Sequence, residues 1–195
     1  MDRKATIKRK TKETDIKLEL NLDGDGVSEI NTGVPFINHM LTLMAAHGFM
    51  DIRLTARGDT EVDYHHTIED LGICLGMAIS QALGEKKGIR RYGQASVPMD
   101  EALSSVVLDI SNRPFLAYRV PLKDSKTGEF DVKLIREFFR AIVSSGITIH
   151  IDLISGEDPH HVAESIFKAF GRALDQAVSI ETRLKNSVPS TKGML

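Results

Sequence analysis

Two stretches of this chain are copies of one another. HHTIEDLGICLGMAISQAL at 65–83 and HHVAESIFKAFGRALDQAV at 160–178 align without a gap. Seven of nineteen positions are identical: His65/His160, His66/His161, Glu69/Glu164, Gly76/Gly171, Ala78/Ala173, Gln81/Gln176 and Ala82/Ala177. The second copy begins about half a chain after the first. A duplicated unit constrains the fold strongly, because each copy must bury the same face against the same kind of neighbour.

The hydrophobic pattern around each copy predicts paired strands, a helix, a strand and a second helix. In the first half, strands are expected over 5–11 and 16–22, where Ile16, Leu18, Leu20 and Leu22 alternate with polar residues. A turn at 23–26, a helix from Pro35 closed by Gly48, a strand over 50–56 and a helix over 65–83 stopped at Gly84 follow. In the second half, strands are expected over 94–98, 102–110 and 115–121, and a helix over 131–145. A strand over 147–153 sets Ile147, Ile149, Ile151 and Leu153 on one face and Thr148, His150 and Asp152 on the other. The last helix runs from Pro159 to about 184. This is an α+β fold, an internal duplication of a split β-α-β half with sheets packed against helices. No linker separates the halves, so we expect one domain of two fused repeats, about 1–90 and 91–185, and a flexible tail over 186–195.

Composition narrows the function. A formal net charge of −2 argues against non-specific nucleic-acid binding, and one cysteine rules out a disulfide framework or a cysteine-rich zinc site. No apolar run is long enough to span a membrane, and no secretory signal pattern is evident, so a cytoplasmic protein is expected.

Histidine carries the chemistry. In each HHxxE the first histidine and the glutamate are one helical turn apart and share a stripe, while the second histidine points aside. Adjacent helical histidines do not readily reach one ion together, which favours two separate sites. A lone HH pair is usually an accident of the surface; two at matching positions of a duplication are not. His150 stands on the polar face of an isoleucine-rich strand, and His39 and His47 lie on the first helix, where a core histidine bonded to backbone is the plainer reading of each. Six histidines (39, 65, 66, 150, 160 and 161) with Glu69 and Glu164 make two sets of three nitrogens and one oxygen. That donor set suits a divalent ion such as Mn²⁺, with positions left open for catalysis. Lys168 continues the His160–Glu164 stripe and offers a cation to an anionic substrate.

The stretches INHMLTLMAAHGF (37–49), DYHHTIEDLGICLG (63–76), MDEALSSVVLDISNRP (99–114) and DPHHVAESIFKAFGRAL (158–174) resemble the imidazoleglycerol-phosphate dehydratase family of histidine biosynthesis. The resemblance implies a ribosomal-protein-S5-domain-2-like fold. It also implies conversion of imidazole glycerol phosphate to imidazole acetol phosphate and water, through a metal-bound imidazolate and a diazafulvene-like intermediate. Two Mn²⁺ per subunit and a 24-subunit shell built from trimers, with active sites at subunit contacts, come with it. It makes His39, His65, His66, Glu69, His150, His160, His161 and Glu164 metal ligands. It places Glu13, His39, His47, Arg91, Arg113, Lys168, Ser190 and Lys192 against substrate. Glu13, His47, Asp100 and Glu101 are the candidates for proton transfer, and the sequence does not choose among them. Two other classes, a metal-dependent hydrolase of a phosphorylated small molecule and a non-catalytic metal-storage or metal-sensing shell, are also compatible with the histidine pattern.

Overall fold

The structure, a computed structural model, describes residues 3–122, 126–184 and 187–193. The first half contains β1 (Lys4–Lys10), β2 (Thr14–Asn21), β3 (Ser28–Asn31), α1 (Pro35–His47), β4 (Asp51–Gly58) and α2 (His65–Leu83). The second contains β5 (Tyr92–Met99), β6 (Ala102–Ile110), β7 (Phe115–Arg119), a small hairpin of β8 (Lys126–Thr127) and β9 (Phe130–Asp131), α3 (Lys133–Val143), β10 (Ile147–Ser155) and α4 (Pro159–Val178).

The sheets repeat one topology. The first has the order β1-β2-β4-β3 and the second β5-β6-β10-β7. In each, the first two pairings are antiparallel and the last strand joins parallel, with Leu18 opposite Leu54 in one and His150 opposite Val107 in the other. Alternation decides which face goes inward: Ile16, Leu18 and Leu20 are buried, as are Ile147, Ile149 and Ile151.

Four helices lie against the inner faces and interlock. Helix α2 packs on β1 and β2, and α4 on β5 and β6. The first helix of each half packs on the second helix of the other, α1 on α4 and α3 on α2. The duplicated glycines explain how closely. A Cβ at Gly171 would meet the Met44 carbonyl oxygen at 2.5 Å, and one at Gly76 would meet that of Ile142 at 2.7 Å. Only hydrogen fits between these backbones. Phe138, Phe139, Phe167 and Phe170 fill the centre, and the buried residues of both halves form one continuous core.

Two elements go beyond what the sequence suggests, and one expected boundary needs correction. Strand β3 was not anticipated: SEIN carries one large apolar residue, and parallel pairing with β4 makes it a strand. The β8–β9 hairpin was also missed. Helix α4 stops at Val178 rather than near 184. Ser179 turns extended, and the following residues pair with the 86–91 loop, through an Ile89–Ile180 bridge and a bond from Glu181 N–H to the Gly88 carbonyl. Of the expected tail, Asn186, Met194 and Leu195 lie outside the described residues.

Candidate metal centre and substrate site

Helix α4 begins where its chemistry requires. The Asp158 carboxylate accepts the backbone N–H groups of His160 (2.7 Å) and His161 (3.2 Å), and Pro159 takes the first helical position. The two histidines therefore stand in the first turn, with Glu164 one turn on and Lys168 another turn beyond. Helix α1 brings His39 across the interhelical contact. His39 Nε2 and His160 Nε2 lie 3.0 and 3.1 Å from the same oxygen of Glu164, and Lys168 donates to the other oxygen at 2.6 Å. Glu164 is 7% exposed. Burial alone would push its carboxyl up, but the bonds from Lys168, His39 and His160 outweigh it and hold the group at about 2.

The ligand atoms of His39, His160 and Glu164 all lie within 4.8 Å of one another, which fits the requirements of one divalent ion. Two imidazole nitrogens and a carboxylate oxygen are a borderline-hard set, and three protein donors leave room for others. Phe36 sets its edge against His160, their ring centres 5.5 Å apart. Through Phe130 it reaches Tyr64, the residue before His65, so three aromatic rings join the starts of the two motif helices. His47, at the end of α1, is held below the usual histidine range by burial and by the positive charges of Lys168 and Arg172.

The second histidine of each motif faces acidic residues. His161 Nδ1 lies 2.7 Å from Glu101 Oε2, and Asp100 is 3.8 Å from its Nε2. The bond to His161 and the backbone N–H of Asp158 hold Glu101 down at about 2. In the first half, His66 Nδ1 lies 2.9 Å from Asp59 Oδ2, and Glu13 is 3.9 Å from its Nε2. Asp59 was not among the residues picked from the sequence; an isolated aspartate seven residues before a histidine carries no motif. His65 is half-buried beside His66. Glu69, the counterpart of Glu164, is exposed, and its side chain makes no hydrogen bond among the described residues.

The remaining candidates lie elsewhere on the chain. His150 is on the outer face of the second sheet, turned away from α4 and next to Phe115. Arg91 and Arg113 share the Asp109 carboxylate, with Arg91 Nε at 2.7 Å and Arg113 at 3.2 Å. Arg91 also donates to the Pro189 carbonyl, which brings the segment with Ser190 and Lys192 alongside. This basic group sits at the start of β5, whereas Asp100 and Glu101 follow its end. At about 3.3 Å per residue the two ends of that strand are roughly 25 Å apart.

A family model described as imidazoleglycerol-phosphate dehydratase matches residues 32–174. The imidazoleglycerol-phosphate dehydratase of Geobacter metallireducens is 57% identical over the full length of both chains, and that of Acetivibrio thermocellus 55%. Among solved structures, the Staphylococcus aureus enzyme superposes with a TM-score of 0.82 at 42% identity, over 91% of this chain and 99% of that one. The Pyrococcus furiosus enzyme also gives 0.82, at 41% identity, over 97% of this chain and 100% of that one. The chain therefore belongs to the imidazoleglycerol-phosphate dehydratase family, and its chemistry is that of a histidine-biosynthesis dehydratase.

Proposed function

We propose that the chain removes water from imidazole glycerol phosphate to give imidazole acetol phosphate, and that it does so in the cytoplasm as a 24-subunit shell of trimers with two Mn²⁺ per subunit. The two repeats act as one domain. The observation that carries this reading is the division of the site. One chain gathers His39, His160, Glu164 and Lys168, yet holds His150 on the far face of a sheet and its arginines at the far end of a strand. Neither group can reach the chain's own cluster. A second copy presenting that sheet face and strand end completes the site, so active sites lie at subunit contacts.

In this reading His39, His65, His66, Glu69, His150, His160, His161 and Glu164 hold the metals, with His39, His160 and Glu164 already gathered within one chain; the pairing of the other ligands between the two ions is set by assembly. Bound Mn²⁺ would supply Lewis acidity toward the imidazole ring of the substrate. The protein's own groups do the rest. Arg91, Arg113, Lys192 and the Ser190 hydroxyl match the charge and donor needs of a phosphate. Lys168 donates to Glu164, and burial with the charges of Lys168 and Arg172 holds His47 below the usual histidine range. During the reaction a carbon-bound proton leaves, hydroxide departs from the neighbouring carbon as water, and the enol becomes the ketone. Of the four candidates for moving that proton, Glu13 fits best. Its carboxylate is about half exposed and lies 3.9 Å from His66 Nε2, beside the ligand atom. Glu101 has both oxygens occupied, and Asp100 is largely in solvent.

The test is turnover. Mn²⁺-loaded, assembled protein is expected to generate a ketone from imidazole glycerol phosphate. Full metal loading and full assembly without turnover would overturn the proposal.

A further inference from the structure

Asp59 follows directly on β4, and its place is pinned by its backbone. Its N–H donates to the Glu13 carbonyl at 3.1 Å, and its carbonyl accepts from Val62 N–H at 2.9 Å. Among the described residues its side chain accepts a single hydrogen bond, at Oδ2 from His66 Nδ1 at 2.9 Å. The other oxygen, Oδ1, is buried with no hydrogen-bond partner among the described residues. A buried carboxylate oxygen without a donor works against folding, so the stability of the chain gives no reason for an aspartate here.

The bond to His66 does give a reason. A carboxylate only accepts, so the hydrogen of the neutral ring must sit on Nδ1, and Nε2 is left with its lone pair exposed. The second repeat solves the same problem from a different position. There Glu101 accepts from His161 Nδ1 at 2.7 Å, and its other oxygen takes the Asp158 N–H at 3.1 Å. Glu101 immediately precedes β6, the second strand of its hairpin; Glu13 immediately precedes β2, the second strand of the equivalent hairpin. Glu13 therefore holds the place that orients histidine in the other repeat, yet it lies near Nε2 instead of Nδ1.

We propose that Asp59 is a positioning residue that locks His66 with Nε2 as its metal-binding atom, as Glu101 locks His161, and that this frees Glu13 to face the substrate. The inference rests on the metal reading above. Carboxylates behind ligating histidines characteristically fix ring orientation and raise ligand basicity.

The experiment uses Mn²⁺ alone as probe. Electron paramagnetic resonance of free Mn²⁺ gives the dissociation constant, and thermal melting in EDTA gives the stability of the metal-free protein. The proteins are wild type, Asp59→Ala, His66→Ala and the double variant, with Asp59→Leu, which keeps the branched outline and has no acceptor, replacing Asp59→Ala if that variant does not fold. Removal of Asp59 is expected to weaken Mn²⁺ binding roughly 10–100-fold while the EDTA melting point stays level or rises. In the His66→Ala background the same change should add less than about twofold, because the effect acts through that ring. Wild-type Mn²⁺ affinity without Asp59, alongside a large loss in His66→Ala, would overturn the positioning role and leave the metal reading standing. Wild-type affinity in His66→Ala would overturn both. A full additional loss in the double variant would mean that Asp59 acts elsewhere, and a lower EDTA melting point with unchanged affinity would make it structural.

Discussion

The two HHxxE helices start from the same motif and end in different surroundings. In the second repeat Glu164 is buried and bonded by His39, His160 and Lys168; in the first, Glu69 is exposed and its side chain bonds to nothing among the described residues. The cause is the helix packed across from each. Helix α1, lying on α4, carries His39 and His47, whereas α3, lying on α2, has the sequence KLIREFFRAIV and no histidine. Duplication copied the motif helix, but only one of its partners brings a histidine to the glutamate. One cluster is thus assembled by folding, and in the proposed assembly the other is completed by a second chain.

The sharpest way to break this comparison is to neutralise each glutamate in turn. Glu164→Gln removes the carboxylate that two rings and Lys168 share. It is expected to strip bound Mn²⁺ and lower kcat by about a thousandfold or more, about 4 kcal/mol of barrier, and to destabilise the metal-free chain. Glu69→Gln should also impair the assembled enzyme. In metal-free protein, however, it should change folding stability by less than about 0.5 kcal/mol, as at other exposed positions. Denaturant titration in EDTA checks the contrast, and equal destabilisation by the two changes would end it.

Acid should separate the repeats next. Glu164 has a folded-state value of about 2 against 4.5 for an ordinary glutamate. A depressed carboxylate contributes stability that is fully present above its unfolded value and is lost as pH falls through the folded one. For the metal-free protein this means a loss on the order of 3 kcal/mol between about pH 5 and pH 2. Other carboxylates, Glu101 among them, add to the total. The measurement that isolates Glu164 is therefore the difference between wild type and Glu164→Gln, which should shrink toward zero at the acid end. A difference independent of pH would show that the carboxylate charge is not what holds the cluster.

This asymmetry marks the limit of what the sequence could reveal. The motif helices, the two sheets and the donor types are legible because they rest on local spacing: period two for Ile16 to Leu22, i and i+4 for His160 and Glu164. Which glutamate is buried is not legible, because residues 65–69 and 160–164 present the same stripe and only the opposing helix distinguishes them. Asp59 and Asp109 escaped notice for a related reason: each is a single acidic residue made meaningful by a partner that folding brings to it. The end of α4 was missed because Ile180 and Leu184 continue its apolar rhythm, while pairing with the 86–91 loop sets the real end.

The shared glycines offer a finer discrimination. A methyl group at residue 171 must move α1 from α4, and one at residue 76 must move α3 from α2. Both substitutions to alanine overpack a helix contact and should cost about 1–3 kcal/mol. Only the first contact carries a bond of the candidate metal cluster, since His39 reaches Glu164 across it. Gly171→Ala should therefore weaken Mn²⁺ binding in proportion to the displacement, whereas Gly76→Ala should affect stability and spare that cluster. Melting and Mn²⁺ titration of both variants check this. If Gly76→Ala weakened metal binding as much as Gly171→Ala, the two interhelical contacts would be equivalent after all.

The smallest expected effect lies at the helix starts. Asp158 caps α4 through two backbone N–H groups, whereas the residue at that position in α2 is Tyr64, with no side-chain cap. Asp63, one residue earlier, takes the His65 N–H alone at 2.7 Å. Asp158→Ala should cost about 1 kcal/mol of stability, the ordinary loss for a cap, and Asp63→Ala less. The consequences for the site should differ in kind. Asp158 also donates its backbone N–H to Glu101, so its peptide links the start of the helix to the carboxylate that orients His161. Alanine retains that N–H but frays the turn that aims it. Amide hydrogen exchange at residues 160 and 161 should therefore quicken in Asp158→Ala by about the factor that 1 kcal/mol allows, roughly fivefold. Exchange at residues 65 and 66 in Asp63→Ala should change less, because Tyr64 already starts that helix without a cap. Equal quickening at both helix starts would place the difference between the repeats in the packing across α1 and α3 alone.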